Sequence, residues 1–190
     1  MKPKVLSYVA FLVFIITTQS LPSADAAAAS ELREVYDVTG KKVLHNAPYY
    51  IGPDPAEVNR GGHFNFLLNG KDNDEKYLLT SHTISIESGS PEGPCDKGSY
   101  WQIPNVKAKA PSNFITTGGS IETAVSCFQV MDYPKPTSPK VHSYMLQHCP
   151  SFCGAGPGVC FNVSLIIDKG VRYLGYGGTA PFEFVFQKAK

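Results

Sequence analysis

Glycine and proline punctuate this chain every few residues, 17 of one and 15 of the other in 190 positions. Either residue weakens a helix interior, glycine through backbone entropy and proline through its missing N–H. After Ser30 no apolar repeat of 3.6 residues is found. Short runs rich in aromatic and β-branched side chains take its place, most of them bounded by Gly, Pro, Asn or Asp. That pattern predicts many short strands. We expect them near Val35–Val38, Tyr49–Ile51, His63–Leu68, Tyr77–Ser81, Thr83–Glu87 and Tyr100–Ile103. Further strands are expected near Phe114–Thr116, Ala124–Met131, Ser143–His148, Val159–Ile167, Arg172–Tyr176 and Phe182–Gln187. Asn69-Gly70 and Asp168-Lys169-Gly170 are candidate tight turns. The fold class is therefore all-β, a sandwich or a barrel. Aromatic-led runs at Tyr49, Tyr100 and Tyr144, spaced by 51 and 44 residues, suggest a weak three-fold repeat.

Lys2 and Lys4 precede an apolar stretch from Val5 to Thr17, and Ala24-Asp25-Ala26 follows it. A charged start, a short apolar run and a small-x-small exit read as a secretory signal peptide over residues 1–26. A membrane anchor is the rival reading, for which the run is short. Residues 27–190 then form one domain, because the Pro-rich stretch Tyr133–Pro139 is too short to divide two folded units. Cleavage near Ala26 removes Lys2, Lys4 and Asp25, so the remaining basic and acidic residues are equal in number. No basic excess exists to attract nucleic acid or an anionic membrane. The expected localisation is extracellular or vacuolar by the secretory route.

A secreted chain uses its cysteines for disulfides. This one has five: Cys95, Cys127, Cys149, Cys153 and Cys160. An odd number leaves at least one thiol free or paired between chains. The spacing of the last three, with His142 or His148 added, matches no common zinc pattern, so no metal is expected. Enzyme signatures are missing as well. G-x-S-x-G and H-E-x-x-H do not occur, and Gly70-Lys71 continues into Asp rather than Ser or Thr. Gly154-Ala155-Gly156-Pro157-Gly158 resembles half of a dinucleotide fingerprint, but it contains a proline and precedes a strand. His45, His63, His82, His142 and His148 are scattered, and the pair Asp72 and Asp74 sits in a polar turn. Neither an enzyme nor a cofactor is expected. Asn162-Val163-Ser164 is an N-glycosylation sequon on a predicted strand, and strand alternation lets Asn162 face outward.

One stretch is more specific than these. Val35-Tyr36-Asp37-Val38-Thr39-Gly40-Lys41-Lys42-Val43, five further residues and Tyr49-Tyr50-Ile51 resemble the N-terminal motif of the plant Kunitz-type (soybean trypsin inhibitor) family. The end of the chain agrees. Tyr144–Pro150, Cys160, Leu165–Asp168, Arg172–Leu174 and Pro181–Lys188 look like that family's last strands, and Gly61-Gly62 and the Trp101 strand also fit. The resemblance implies a β-trefoil of about twelve strands in three pseudo-repeats. It also implies a monomeric, secreted inhibitor of an endopeptidase of the serine or cysteine class, acting in plant defence. By position Cys149 and Cys160 match the family's C-terminal disulfide, and Cys153 an extra cysteine of some members. Cys95 resembles the second half of the N-terminal disulfide, whose first half is replaced here by the region of Lys76 and Tyr77. Cys95 could pair with Cys127, stay free or link two chains.

The family's reactive loop falls in a segment that is short in this chain. Its local match is Ser81–Ile86, with Thr83 before the scissile bond and Ile84 after it. The alternation of Ile84 and Ile86 also reads as one more strand. Thr83 supplies no cation for trypsin's acidic pocket, and the family's loop-bracing Asn falls at His45, beside Asn46. Tight trypsin inhibition is therefore not expected. The alternative is a non-inhibitory protein on the same scaffold, serving ligand binding, taste modification or storage.

Overall fold

A computed structural model describes residues 32–53, 55, 63–69, 75–89, 99–104, 114–155 and 160–190. Its strands are β1 (Pro48–Gly52), β2 (His63–Leu68), β3 (Thr83–Gly89), β4 (Ser99–Gln102), β5 (Thr116–Gly119) and β6 (Phe128–Asp132). They continue as β7 (Tyr144–His148), β8 (Phe161–Asn162), β9 (Ser164–Asp168), β10 (Val171–Gly175) and β11 (Val185–Lys188). The only helical segments among the described residues are 3-10 turns at Ala124–Ser126 and Pro150–Cys153.

Six strands make a ring in the order β11-β1-β2-β3-β6-β7, all neighbours antiparallel. Tyr144 and Phe184 close it by exchanging backbone hydrogen bonds of 2.8 and 2.9 Å just before β11. Closure removes the sheet edges on which other chains could pair. Three strand pairs therefore form the wall. The hairpins β4–β5 and β9–β10 stand off it, as does the bridged segment Glu34–Leu44. This is a β-trefoil. Tyr49 and Tyr144 of the three-fold repeat lie on ring strands, whereas Tyr100 lies on β4, off the ring.

The core is the inward face of that ring. Tyr49, Phe66, Tyr144, Phe184 and Phe186 are buried together, with Phe186 5.0 Å from Phe66 and 5.3 Å from Phe184 between ring centroids. Burial of each such aromatic contributes about 2–3 kcal/mol. Two of the rings also carry polar tips that the N-terminal segment satisfies. Leu44 N–H donates to the Tyr49 hydroxyl at 3.0 Å, and Tyr36 N–H to the Tyr144 hydroxyl at 2.7 Å. Burial pushes the Tyr144 hydroxyl pKa up to about 12. The motif Asp37–Lys41 is a turn built on one carboxylate. Asp37 Oδ1 accepts from Thr39 N (2.8 Å), Thr39 Oγ1 (2.6 Å) and Lys41 N (3.0 Å). Gly40 takes φ +77°, which a side chain would strain. Val38 N–H then reaches Phe186 O at 2.8 Å, so the N-terminal motif is fastened to the last strand.

Several predicted strands take another form. Val35–Val38 and Tyr77–Ser81 meet their neighbours by isolated bridges, because their backbone groups alternate between different segments. Val35 N–H bonds Leu78 O, while Leu78 N–H bonds Val43 O. Ala124–Ser126 is a 3-10 turn ahead of β6, and the Val159–Ile167 region divides at Val163 into β8 and β9. The strand expected at Phe114–Thr116 lies later, at Thr116–Gly119.

Candidate functional site

The expected reactive bond is not at the surface. Thr83 and Ile84 open β3, a central strand with partners on both sides. Ile84 pairs with Leu68 on β2 and with Phe128 on β6, and its side chain is fully buried. Ser85 and Ile86 are buried too. A strand hydrogen-bonded on both edges cannot enter a protease cleft, so the assignment of Thr83 and Ile84 to an exposed loop is corrected. The cause is topological. Leu68 and Phe128 are far from Ile84 in sequence, and the β2–β3 and β3–β6 pairings bring them to its two sides.

The exposed and braced segment lies a few residues earlier. Glu75 and Lys76 are exposed, Tyr77 is half-buried and Leu78 is fully buried. The backbone there is fixed by the N-terminal segment. His45 N–H donates to Lys76 O (3.1 Å), Leu44 bridges Tyr77, and Leu78 N–H donates to Val43 O (2.9 Å). Thr80 continues the pattern, its N–H on Arg33 O at 2.7 Å and its hydroxyl accepting from Arg33 N–H at 2.9 Å. His45 thus reaches the segment through its main chain. Partial burial lowers its imidazole pKa. Asn46 stands next to it at φ +54° and donates its N–H to Phe66 O at 3.0 Å.

The surface beside this segment is cationic over an aromatic ring. Lys42 Nζ and Lys76 Nζ lie 5.2 and 5.4 Å from the Tyr77 ring centroid, a distance at which an ammonium is attracted to the ring face. Lys42 also pairs with Glu34, whose other oxygen accepts from the Tyr36 hydroxyl at 2.7 Å. The Lys42 ammonium, aided by that hydroxyl, holds the Glu34 carboxyl below its usual range.

Four of the five cysteines are partnered in two bonds, Cys149–Cys160 and Cys127–Cys153. Cys127, one of the fates open to Cys95 from sequence beside a free thiol or a link between chains, closes on Cys153 in the turn after Cys149. The second bond ties the start of β6 to that turn. Cys95 lies outside the described residues, as do Gly61-Gly62, Asp72 and Asp74. Gly154 caps the turn at φ +92°. Asn162 is exposed on β8, its Oδ1 accepting from Gln147 Nε2 at 2.9 Å, while Val163 is fully buried. The histidines do not converge. His63 packs edge-on to Tyr50, His142 stacks on Tyr36, and His82 and His148 are buried. Among the described residues no three His, Cys, Asp or Glu side chains are grouped closely enough to hold a metal ion.

A family model described as trypsin and protease inhibitor, of the legume Kunitz type, matches residues 37–188. No curated protein matches the sequence. Among solved structures, the Kunitz-type cysteine protease inhibitor PCPI-3 from potato is similar at 18% identity and TM-score 0.64, over 84% of this chain and 99% of that one. Soybean trypsin inhibitor in complex with porcine pancreatic trypsin is similar at 16% identity and TM-score 0.62, over 83% and 99%. Type II water-soluble Chl-binding proteins are similar at 19% identity and TM-score 0.63, again over 83% and 99%.

Proposed function

The chain belongs to the Kunitz-type trypsin and protease inhibitor family, and from that premise we propose that it blocks an endopeptidase of the serine or cysteine class with an exposed segment. The observation that carries the reading is the segment Glu75–Tyr77, which presents charged side chains outward while its backbone is pinned to the N-terminal segment. Such a segment has already lost its conformational freedom before it meets a protease, so binding costs less. The classes named are those of the potato and soybean proteins. Lys76 is not the primary specificity residue in this reading. Its carbonyl is occupied by His45 N–H, whereas a bound substrate-like loop must offer that carbonyl to the oxyanion hole. Tight trypsin inhibition is accordingly not part of the proposal.

Residues 1–26 direct the chain into the secretory route, and Asn162 carries an N-linked glycan there. The protein acts by binding, not by catalysis. The test is titration of the oxidised protein from residue 27 onward against trypsin, chymotrypsin, elastase, subtilisin and papain. Stoichiometric inhibition of at least one is expected. It should weaken on the order of ten-fold or more in Glu75→Ala/Lys76→Ala, as for a central interface contact. Inactivity against the whole panel would overturn the reading in favour of a non-inhibitory binding or storage role.

A further inference from the structure

Away from Lys76, the two hairpins that stand off the ring approach each other. Trp101, the chain's single tryptophan, lies on β4 and is 7% exposed. Its Nε1–H donates to Ser88 Oγ at 3.0 Å, and its ring meets Phe64 edge-on at 4.9 Å. β4 and β5 pair as Trp101↔Thr117 but Tyr100↔Gly119, which makes Gly118, at φ +107°, the extra residue of a bulge. A bulge bends its strand and leaves the ladder open there. On the other side, Phe114 bridges Gly175, Ile115 N–H reaches Leu174 O at 2.7 Å, and the Phe114 ring stacks on Tyr173 at 4.6 Å.

Between these hairpins is a cavity of about 280 Å³, lined chiefly by Trp101, Ile115, Thr117, Arg172, Tyr173 and Leu174. Its walls are mainly apolar, and its charge is one-sided. Arg172 is the one charged residue in the described lining, and no ion pair to it occurs among the described residues. A guanidinium fork fits a carboxylate in two parallel hydrogen bonds. A concave apolar site with one placed polar group is the usual form of a small-molecule site.

We propose that this cavity binds a small amphiphilic carboxylate, with its apolar body on Trp101, Ile115 and Leu174 and its charged end on Arg172. The site is separate from the segment at Lys76, so it stands whether or not the protein inhibits a protease. The rival occupant is a second copy of the chain. The adjoining hairpin exposes Leu165 (42%), Ile167 (68%) and Val171 (50%), and Ile167 sits directly opposite Arg172 in the β9–β10 register.

The single tryptophan supplies the measurement. Its emission would be followed during titration with 4-phenylbutyrate and with the uncharged 4-phenylbutanamide. A saturable change with the acid is expected, with affinity about ten-fold weaker for the amide and for Arg172→Gln. Arg172 is exposed, so this variant should unfold at the same denaturant concentration as the parent. No saturable change with the acid would overturn the proposal. Equal affinity for acid and amide, or for parent and Arg172→Gln, would also overturn it. So would a dimer in sedimentation velocity that disappears on Ile167→Glu and whose dissociation, rather than the added acid, accounts for the emission change.

Discussion

His148 at the end of β7 and Tyr176 just after β10 face each other, Nδ1 of the imidazole against the phenol hydroxyl. The opposite nitrogen settles the tautomer. His148 Nε2 lies 3.0 Å from Ala124 O and 3.1 Å from Val125 O, and carbonyls only accept, so Nε2 carries the proton and Nδ1 accepts from Tyr176. The ring is fully buried, with Phe128 5.1 Å away. Burial lowers the imidazole pKa to about 4, against the carbonyl contacts, and raises that of the Tyr176 hydroxyl.

A folded pKa below the unfolded value means that the unfolded chain takes up the proton first. The contribution of neutral His148 is complete above about pH 6.5 and is lost as pH falls through the window from there to about pH 4. Its size over that window is on the order of 3 kcal/mol. Urea unfolding at pH 7.5, 5.5 and 4 should show this loss, and His148→Gln should flatten it. An identical pH slope in parent and variant would show that another group is responsible.

Ile84 is a core residue, and its substitution should behave as one. Ile84→Ala removes buried methylene and methyl groups between Leu68 and Phe128 and should cost about 2–5 kcal/mol. Thr83→Arg should give no trypsin inhibition, because β3 keeps its partners on both edges. Trypsin inhibition gained by Thr83→Arg at unchanged stability would return the reactive bond to this position.

What the sequence revealed and what it hid divide along contact range. β1, β2, β7 and β11 are visible because aromatic and aliphatic runs alternate locally, and Asp37 and Gly40 mark their turn within five residues. The Cys149–Cys160 bond follows from family position. The fate of Ile84 was hidden because alternation says which face is buried but not whether both strand edges are paired. The Cys127–Cys153 bond was hidden because it depends on the 3-10 turn at Pro150–Cys153 folding back under β6. The braced segment at Lys76 left only the His45 position as its trace, since main-chain hydrogen bonds carry no side-chain signature.

The two disulfides should differ in worth. Cys127–Cys153 closes 26 residues and Cys149–Cys160 closes 11. On chain entropy alone these contribute about 3.5 and about 2.8 kcal/mol. Replacing Cys127 and Cys153 together by Ala should therefore lower stability more than replacing Cys149 and Cys160, as read by denaturant midpoints. The same pairing leaves Cys95 without a cysteine partner inside the chain. Thiol titration of the unreduced, denatured protein should count one thiol per chain, or none with a reducible dimer on a gel. A Cys95–Cys127 peptide in a non-reducing digest would contradict the pairing.

Asn46 tests whether the brace behind Lys76 depends on backbone strain. It holds φ +54° immediately after His45, whose N–H bonds Lys76 O. Asparagine tolerates this left-handed region better than most side chains, and glycine enters it freely. Asn46→Ala should cost roughly 1 kcal/mol, whereas Asn46→Gly should stay within a few tenths of the parent. If the turn sets the position of Lys76, Asn46→Ala should also slow protease capture while Asn46→Gly leaves it unchanged. Unfolding and inhibition would be measured on the same samples. A loss of stability in both variants would assign the role to the Asn46 side chain instead of its backbone angle.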